Sequence, residues 1–180
     1  MRMKNLFYTL LFAALIVLFN ACNKDNSDDV WRKANADAYE AVTKGEEYTE
    51  LTTGTGPSGV YYKSLETGTG TEHPLQTSTV KVLYSGTYYD GSVFDAGTTG
   101  NNIPVEFSLA GTNTIRGFSF ALQNMFVGDH WQICIPYYLG YGAAGYTVSD
   151  YYSYSYQTII KGYTTLFFDI KLVSITQYPN

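Results

Sequence analysis

Between Gly59 and Ile175 the apolar residues repeat with a period of two in segment after segment, and one segment breaks that rule. Val60 and Tyr62 alternate with Tyr61 and Lys63, and Val80, Val82 and Tyr84 alternate with Lys81, Leu83 and Ser85. Such alternation predicts strands with one face buried. Asp90-Gly91 between Tyr89 and Val93 is a strong short-hairpin signal. Pro104 to Leu109, His130 to Ile135 and Thr165 to Ile175 complete the strand set, the last with Leu166, Phe168, Ile170 and Leu172 on one face. The exception is the stripe of Ile115, Phe118, Leu122 and Met125, which has helical spacing, with Thr114 as a candidate N-cap and Gly128 just past the end. One amphipathic helix among antiparallel strands predicts an α+β domain whose sheet covers that stripe.

Residues ahead of Gly59 read differently. Arg2 and Lys4 precede an apolar run from Leu6 to Phe19, then Ala21 and Cys22. The run is shorter than the roughly 20 residues of a spanning helix. Its basic, apolar, small-residue order is that of a secretory signal, with a membrane-spanning helix as the alternative. Phe19 to Cys22 (FNAC) resembles a bacterial lipobox, although Phe19 stands where Leu is commonest and Asn20 where a small residue is usual. That resemblance implies a signal peptide over residues 1–21 and acylation of Cys22, hence a lipid anchor in a bacterial envelope membrane, the outer membrane foremost. The domain would then face the periplasm or the cell surface. Asn23 to Asp29 (NKDNSDD) reads as a solvated acidic tether, Val30 to Lys44 as a short helix stopped by Gly45, and Thr53 to Gly59 (TGTGPSG) as a flexible connector. The expected organisation is therefore 1–21 signal, 22–58 tether and helix, and 59–180 domain.

Losing residues 1–21 removes two cations and no anion, so the formal charge goes from −5 to −7. An acidic surface without a basic run argues against nucleic acid as partner. Cys134, inside the apolar stretch Trp131 to Ile135, reads as a small buried hydrophobe. His73 and His130 have no ligand spacing, so neither a metal nor another cofactor is expected.

Several short motifs in order carry a family resemblance. They are Tyr84-Ser85-Gly86, Asp90-Gly91, Phe94-Asp95, the strand with Val105 and Phe107, Thr114-Ile115-Arg116-Gly117-Phe118, Met125 to Gly128, Pro136, Tyr141 to Gly145, and Thr165 to Ile170. From about Gly59 to Ile175 the chain resembles an FKBP-type peptidyl-prolyl cis-trans isomerase. The resemblance implies a twisted antiparallel sheet wrapped around one helix. It also implies rotation about X-Pro bonds in proline-containing polypeptide clients, during the folding of exported proteins.

By that resemblance Tyr84, Phe94, Asp95, Tyr141 and Phe168 form the catalytic set, and Val105, Ile115, Phe118, Tyr146 and Ile160 bind substrate. Phe118 would be the pocket floor, where well-studied members carry Trp. The Ile115 N–H, at a helix start where amides are unpaired, would hold a substrate carbonyl with help from the Tyr141 hydroxyl. Asp95 would orient the amide at the pocket edge; on sequence alone it could equally accept turn hydrogen bonds or pair with Arg116.

The chain also departs from the family pattern. The segment after Asp95, Ala96 to Ile103, lacks the Arg often found there, and Tyr146 stands where His is common. Thr147 to Thr158 (TVSDYYSYSYQT) is longer than the compact family loop. Tyr and Ser together suit adaptable recognition surfaces, so this segment is either a client-binding rim or a plain solvated hairpin. The rival to an enzyme is a non-catalytic binding module or holdase chaperone on the same fold. Sequence leaves the oligomeric state open.

Overall fold

A computed structural model describes residues 23–98, 102–111, 114–150 and 155–177. The chain divides into two units, residues 1–34 and 35–180. Helix α1 (Asn23–Lys44) begins well before the expected Val30 and takes in the stretch read as a solvated tether. That stretch contains no Gly or Pro to interrupt a helix. Gly45 ends the helix as expected, its N–H donating to the carbonyls of Ala41 and Val42.

In the second unit, strands β1 (Thr49–Thr53), β2 (Gly56–Glu66), β3 (Thr79–Thr87), β4 (Val93–Asp95), β5 (Val105–Ser108), β6 (His130–Ile135) and β9 (Leu166–Gln177) form one sheet. Its order is β1-β2-β6-β9-β3-β4, with β5 also on the free edge of β3, and every pairing is antiparallel. Strands β7 (Tyr146–Asp150) and β8 (Ser155–Ile160) make a separate hairpin. The segment expected as a flexible connector is instead the β1–β2 turn and the start of β2. Thr53 Oγ1 donates to the Gly56 carbonyl, and Glu50 Oε1 accepts from the Gly59 N–H at 2.8 Å.

Register explains the core. Tyr84, Ile170 and Trp131 stand opposite one another across β3, β9 and β6, as do Gly86, Phe168 and Ile133 in the next inward row. Val80, Val82, Leu166, Ile170, Leu172, Ile133 and Ile135 are fully buried. Helix α2 (Arg116–Asn124) lies on this face, burying Gly117, Phe118, Ala121 and Leu122. It approaches so closely that a Cβ on Gly117 would sit 2.4 Å from Ile135 Cγ2, which is why glycine follows Arg116. Each fully buried Leu or Ile here contributes roughly 1.5–3 kcal/mol. The sheet covers the Ile115, Phe118, Leu122, Met125 stripe, giving the expected α+β architecture. One detail differs: Ile115, in extended conformation, is the N-cap, and Thr114 Oγ1 bonds instead to Ser119 Oγ at 2.5 Å.

Candidate active site

At the end of the sheet where β3 meets β4, aromatic rings gather over the first turn of α2. Phe118 is buried beneath them, its centroid 5.8 Å from Tyr84, 5.5 Å from Phe107 and 5.1 Å from Phe168. Phe94 meets Phe168 edge to face at 5.5 Å. Centroid separations of 4.5–7 Å with tilted planes are the preferred aromatic geometry. The hairpin turn at Asp90-Gly91 brings Phe94 there, since the Tyr88 N–H donates to the Ser92 carbonyl and Asp90 Oδ1 accepts from the Ser92 N–H. Gly86 makes room. A Cβ there would lie 2.5 Å from Phe94 Cζ and 3.0 Å from Phe168 Cε1. The Tyr-x-Gly signature is thus a steric requirement of the two phenylalanines that follow it.

A polar edge is set into this apolar bowl. The Tyr84 hydroxyl donates to Asp95 Oδ2 at 3.0 Å, and Asp95 Oδ1 accepts from the Gly97 N–H at 2.9 Å. Asp95 therefore does accept a turn hydrogen bond, while among the described residues no carboxylate pairs with Arg116. Burial first, then the hydrogen bond to and charge of Asp95, push the Tyr84 hydroxyl up to about 12. Burial, followed by the charge of Asp95, also raises Tyr141. Both phenols stay protonated at neutral pH and can donate. Among the described residues no acceptor takes the Ile115 N–H, which stands at the open start of α2.

The structure brings Tyr84, Phe94, Ile115, Phe118, Tyr141 and Phe168 onto one cluster, and Asp95 joins it through its hydrogen bond to Tyr84. Tyr146 stacks on Tyr141, centroids 5.4 Å apart and planes 30° apart, and is 46 % exposed. Ile160 is buried in the core behind the rim. Val105 is exposed and outside the cluster, and Phe107 is the β5 residue that reaches Tyr84, at 5.5 Å. Phe107 pairs with buried Val80 and Val105 with equally buried Val82, so the period-two pattern alone does not single out Phe107. Cys22 lies outside the described residues.

Other reactive types are occupied elsewhere. Cys134 is fully buried, and burial pushes its thiol up to about 12, so it is inert. His73 stacks on Phe126 and its Nδ1 lies 3.2 Å from the Met125 carbonyl, while His130 Nε2 lies 2.6 Å from Asp169 on the outer face of the sheet. The cluster thus offers an aromatic surface, phenol and amide donors, and a carboxylate. It suits binding and polarising an amide.

Comparison with known proteins agrees with this geometry. The family model for FKBP-type peptidyl-prolyl cis-trans isomerase matches residues 70–173. The chain belongs to the FKBP-type peptidyl-prolyl cis-trans isomerase family. It is 36% identical over 110 residues to outer membrane protein MIP of Legionella longbeachae, covering 61% of this chain and 44% of that protein. It is 33% identical over 152 residues to the FKBP-type isomerase FkpA of Escherichia coli, covering 82% of this chain and 51% of FkpA. The chain thus spans about half the length of the curated relatives it matches. A crystal structure of a peptidyl-prolyl cis-trans isomerase from Pseudomonas syringae superposes with TM-score 0.65 at 29% identity, covering 83% of this chain and 96% of that one. Such FKBP-type neighbours share the α+β fold described above.

Proposed function

We propose that this chain is a peptidyl-prolyl cis-trans isomerase whose FKBP-type bowl accelerates X-Pro rotation in polypeptide clients. The observation that carries this reading is the Tyr84–Asp95 hydrogen bond set into the Phe94, Phe107, Phe118 and Phe168 cluster. Uncatalysed rotation about a peptide bond crosses about 18–20 kcal/mol, because the planar amide is held by charge-separated resonance. X-Pro bonds therefore need tens to hundreds of seconds. A dry aromatic bowl disfavours the planar, polarised amide more than the twisted one, which is differential binding of the transition state. No bond to a substrate atom forms, so no nucleophile or metal is needed. The Ile115 N–H and Tyr141 hydroxyl hold a substrate carbonyl, Asp95 orients the amide through its edge position, and Phe118 is the floor. Phe107, whose ring meets Tyr84 and Phe118, forms the β5 wall, with exposed Val105 beyond it.

Residues 1–21 act as a signal peptide and Cys22 as the acylated N-terminus, with several acyl chains giving stable attachment. The chain is then an envelope lipoprotein, a reading supported by the name of its Legionella longbeachae relative, an outer membrane protein. Residues 22–58 link the anchor to the isomerase domain at 59–180, whose sheet β1 completes at one edge. Clients are exported polypeptides.

Proline-limited refolding of a model protein by residues 22–180 tests the activity. Acceleration by the parent chain that is lost in Asp95→Ala and Phe168→Ala supports it. A parent chain that leaves the slow phase unchanged refutes it. Incorporation of labelled fatty acid into the full chain in a bacterial host, abolished by Cys22→Ser, tests the anchor.

A further inference from the structure

Among the described residues, strands β7 and β8 pair with each other and not with the main sheet. A two-stranded hairpin is marginal on its own in water, so side contacts must hold it. At its base Ile160 is buried and Tyr146 stacks on Tyr141. Further along β8, Ile159 turns a 39 % exposed side chain outward. The carbonyl of that residue accepts a hydrogen bond from the Tyr88 hydroxyl at 3.1 Å, a contact between residues 71 apart in sequence.

Tyr88 is well placed to hold β8. Its own backbone is fixed twice within the β3–β4 turn, its N–H donating to Ser92 and its carbonyl accepting from Gly91. Its ring packs on Phe94 at 5.2 Å, and Phe94 packs on Phe168. Burial first, then the charge of Asp90, raise the pKa of its phenol, so the hydroxyl is a donor at neutral pH. A rigid turn, the Phe94 wall and the β8 backbone are thereby joined through one side chain.

We propose that Tyr88 is a positioning residue: its hydroxyl holds β8 against the Phe94 side of the bowl and so sets the grip on client residues beyond the X-Pro bond. This rests on the isomerase reading above. A short proline peptide fills the bowl and ends there. A folding protein continues across the rim, where the backbone of β8 and the outward face of Ile159 meet it. Fastening β8 pre-organises that surface, and pre-organisation acts on binding.

The test is Tyr88→Phe in the full chain, which keeps the ring on Phe94 and deletes only the hydroxyl. Two readouts are taken: hydrogen exchange across residues 146–160, and KM and kcat for both a proline-limited folding protein and a short proline peptide. One neutral hydrogen bond corresponds to about a two- to ten-fold change. Exchange in the hairpin is expected to rise by that factor. KM for the protein substrate should rise with it, while its kcat and both peptide constants hold. Unchanged exchange overturns the latch. Faster exchange without the KM split overturns its role in gripping clients, and so does an equal loss on both substrates. If the parent chain has no isomerase activity the function fails, and exchange still decides the latch by itself.

Discussion

The Tyr84 hydroxyl and Asp95 Oδ2 are 3.0 Å apart, joining a central strand of the sheet to the last residue of its edge strand. The bond fixes a phenol and a carboxylate at the lip of an apolar bowl. Hydrogen bonds to a charged acceptor contribute about 1.5–3 kcal/mol. Asp95→Ala is therefore expected to lower kcat/KM by roughly ten- to a hundred-fold. Asp95→Asn keeps an acceptor for Tyr84 and separates charge from geometry. In a cycle with Tyr84→Phe the two losses should add to less than their sum, as expected of directly bonded partners. Simple additivity in peptide assays would break the link.

Alkaline pH gives an independent handle on the same phenol. The Tyr84 pKa is raised from 10.0 to about 12, burial being the largest cause and the Asp95 hydrogen bond the next. A folded pKa above the unfolded value contributes stability that is complete below about pH 10 and lost as pH rises through 12. Tyr48, Tyr61 and Tyr141 shift in the same direction, each mainly by burial. Urea midpoints should hold steady up to about pH 10 and then fall. Tyr84→Phe should remove part of that slope, and phenolate absorbance should appear late in the parent.

Gly86→Ala tests whether the bowl needs glycine behind it. The new methyl meets Phe94 and Phe168 at 2.5 and 3.0 Å, so at least one ring must move. Overpacking of this kind costs about 1–3 kcal/mol. Activity should fall further than stability if the displaced rings wall the proposed substrate pocket. Gly117→Ala, crowding Ile135 beneath the helix, is expected to cost similar stability. Denaturation curves and peptide turnover on both variants give the contrast.

Most of the sheet was legible because its burial is one-sided. Leu166, Phe168, Ile170 and Leu172 alternate with Phe167, Asp169 and Lys171, and over this stretch a single register serves both partners of β9. The helix stripe was legible for the same reason. The β1–β2 turn was not, since Thr and Gly suit a loose linker as well as a turn that Thr53 and Glu50 tie down from outside the local pattern. Asn23 to Asp29 misled in the other direction: polarity suggests solvation, yet the stretch contains no Gly or Pro to interrupt a helix. Of the motif residues, Tyr84 lies against both Asp95 and Phe168. Val105 and Phe107 share a face of β5 opposite the equally buried Val82 and Val80, so alternation and register do not separate them, and it is the ring of Phe107 that reaches Tyr84.

The tyrosine-rich segment between Tyr146 and Ile160 is expected to serve protein clients more than peptides. Deleting Ser149 to Tyr156 shortens the β7–β8 hairpin and leaves Tyr141, Tyr146 and Ile160 in the chain. Acceleration of proline-limited refolding should weaken, with turnover of a short proline peptide kept. Equal effects on both substrates, or none on either, would remove the rim from the account.

Asn35 is a polar residue with no exposed surface. Its Oδ1 accepts from the Thr165 N–H at 2.9 Å, and its carbonyl accepts from Thr165 Oγ1 at 2.9 Å. Thr165 immediately precedes β9, the strand that carries Phe168. Four residues along α1, the Tyr39 hydroxyl donates to the Gly59 carbonyl at 2.8 Å, so residues 35–44 dock on the sheet side by side with β2. Asn35→Ala would leave the buried Thr165 amide without that acceptor, which costs about 1–3 kcal/mol. Asn35→Asp keeps the acceptor but buries a charge, and charge burial is heavily penalised. Both variants are expected to lower the urea midpoint. Because these Asn35 bonds hold the Thr165 backbone and hydroxyl, kcat/KM of the folded fraction should stay at the parent value. A fall in turnover with unchanged stability would instead make α1 part of the catalytic apparatus.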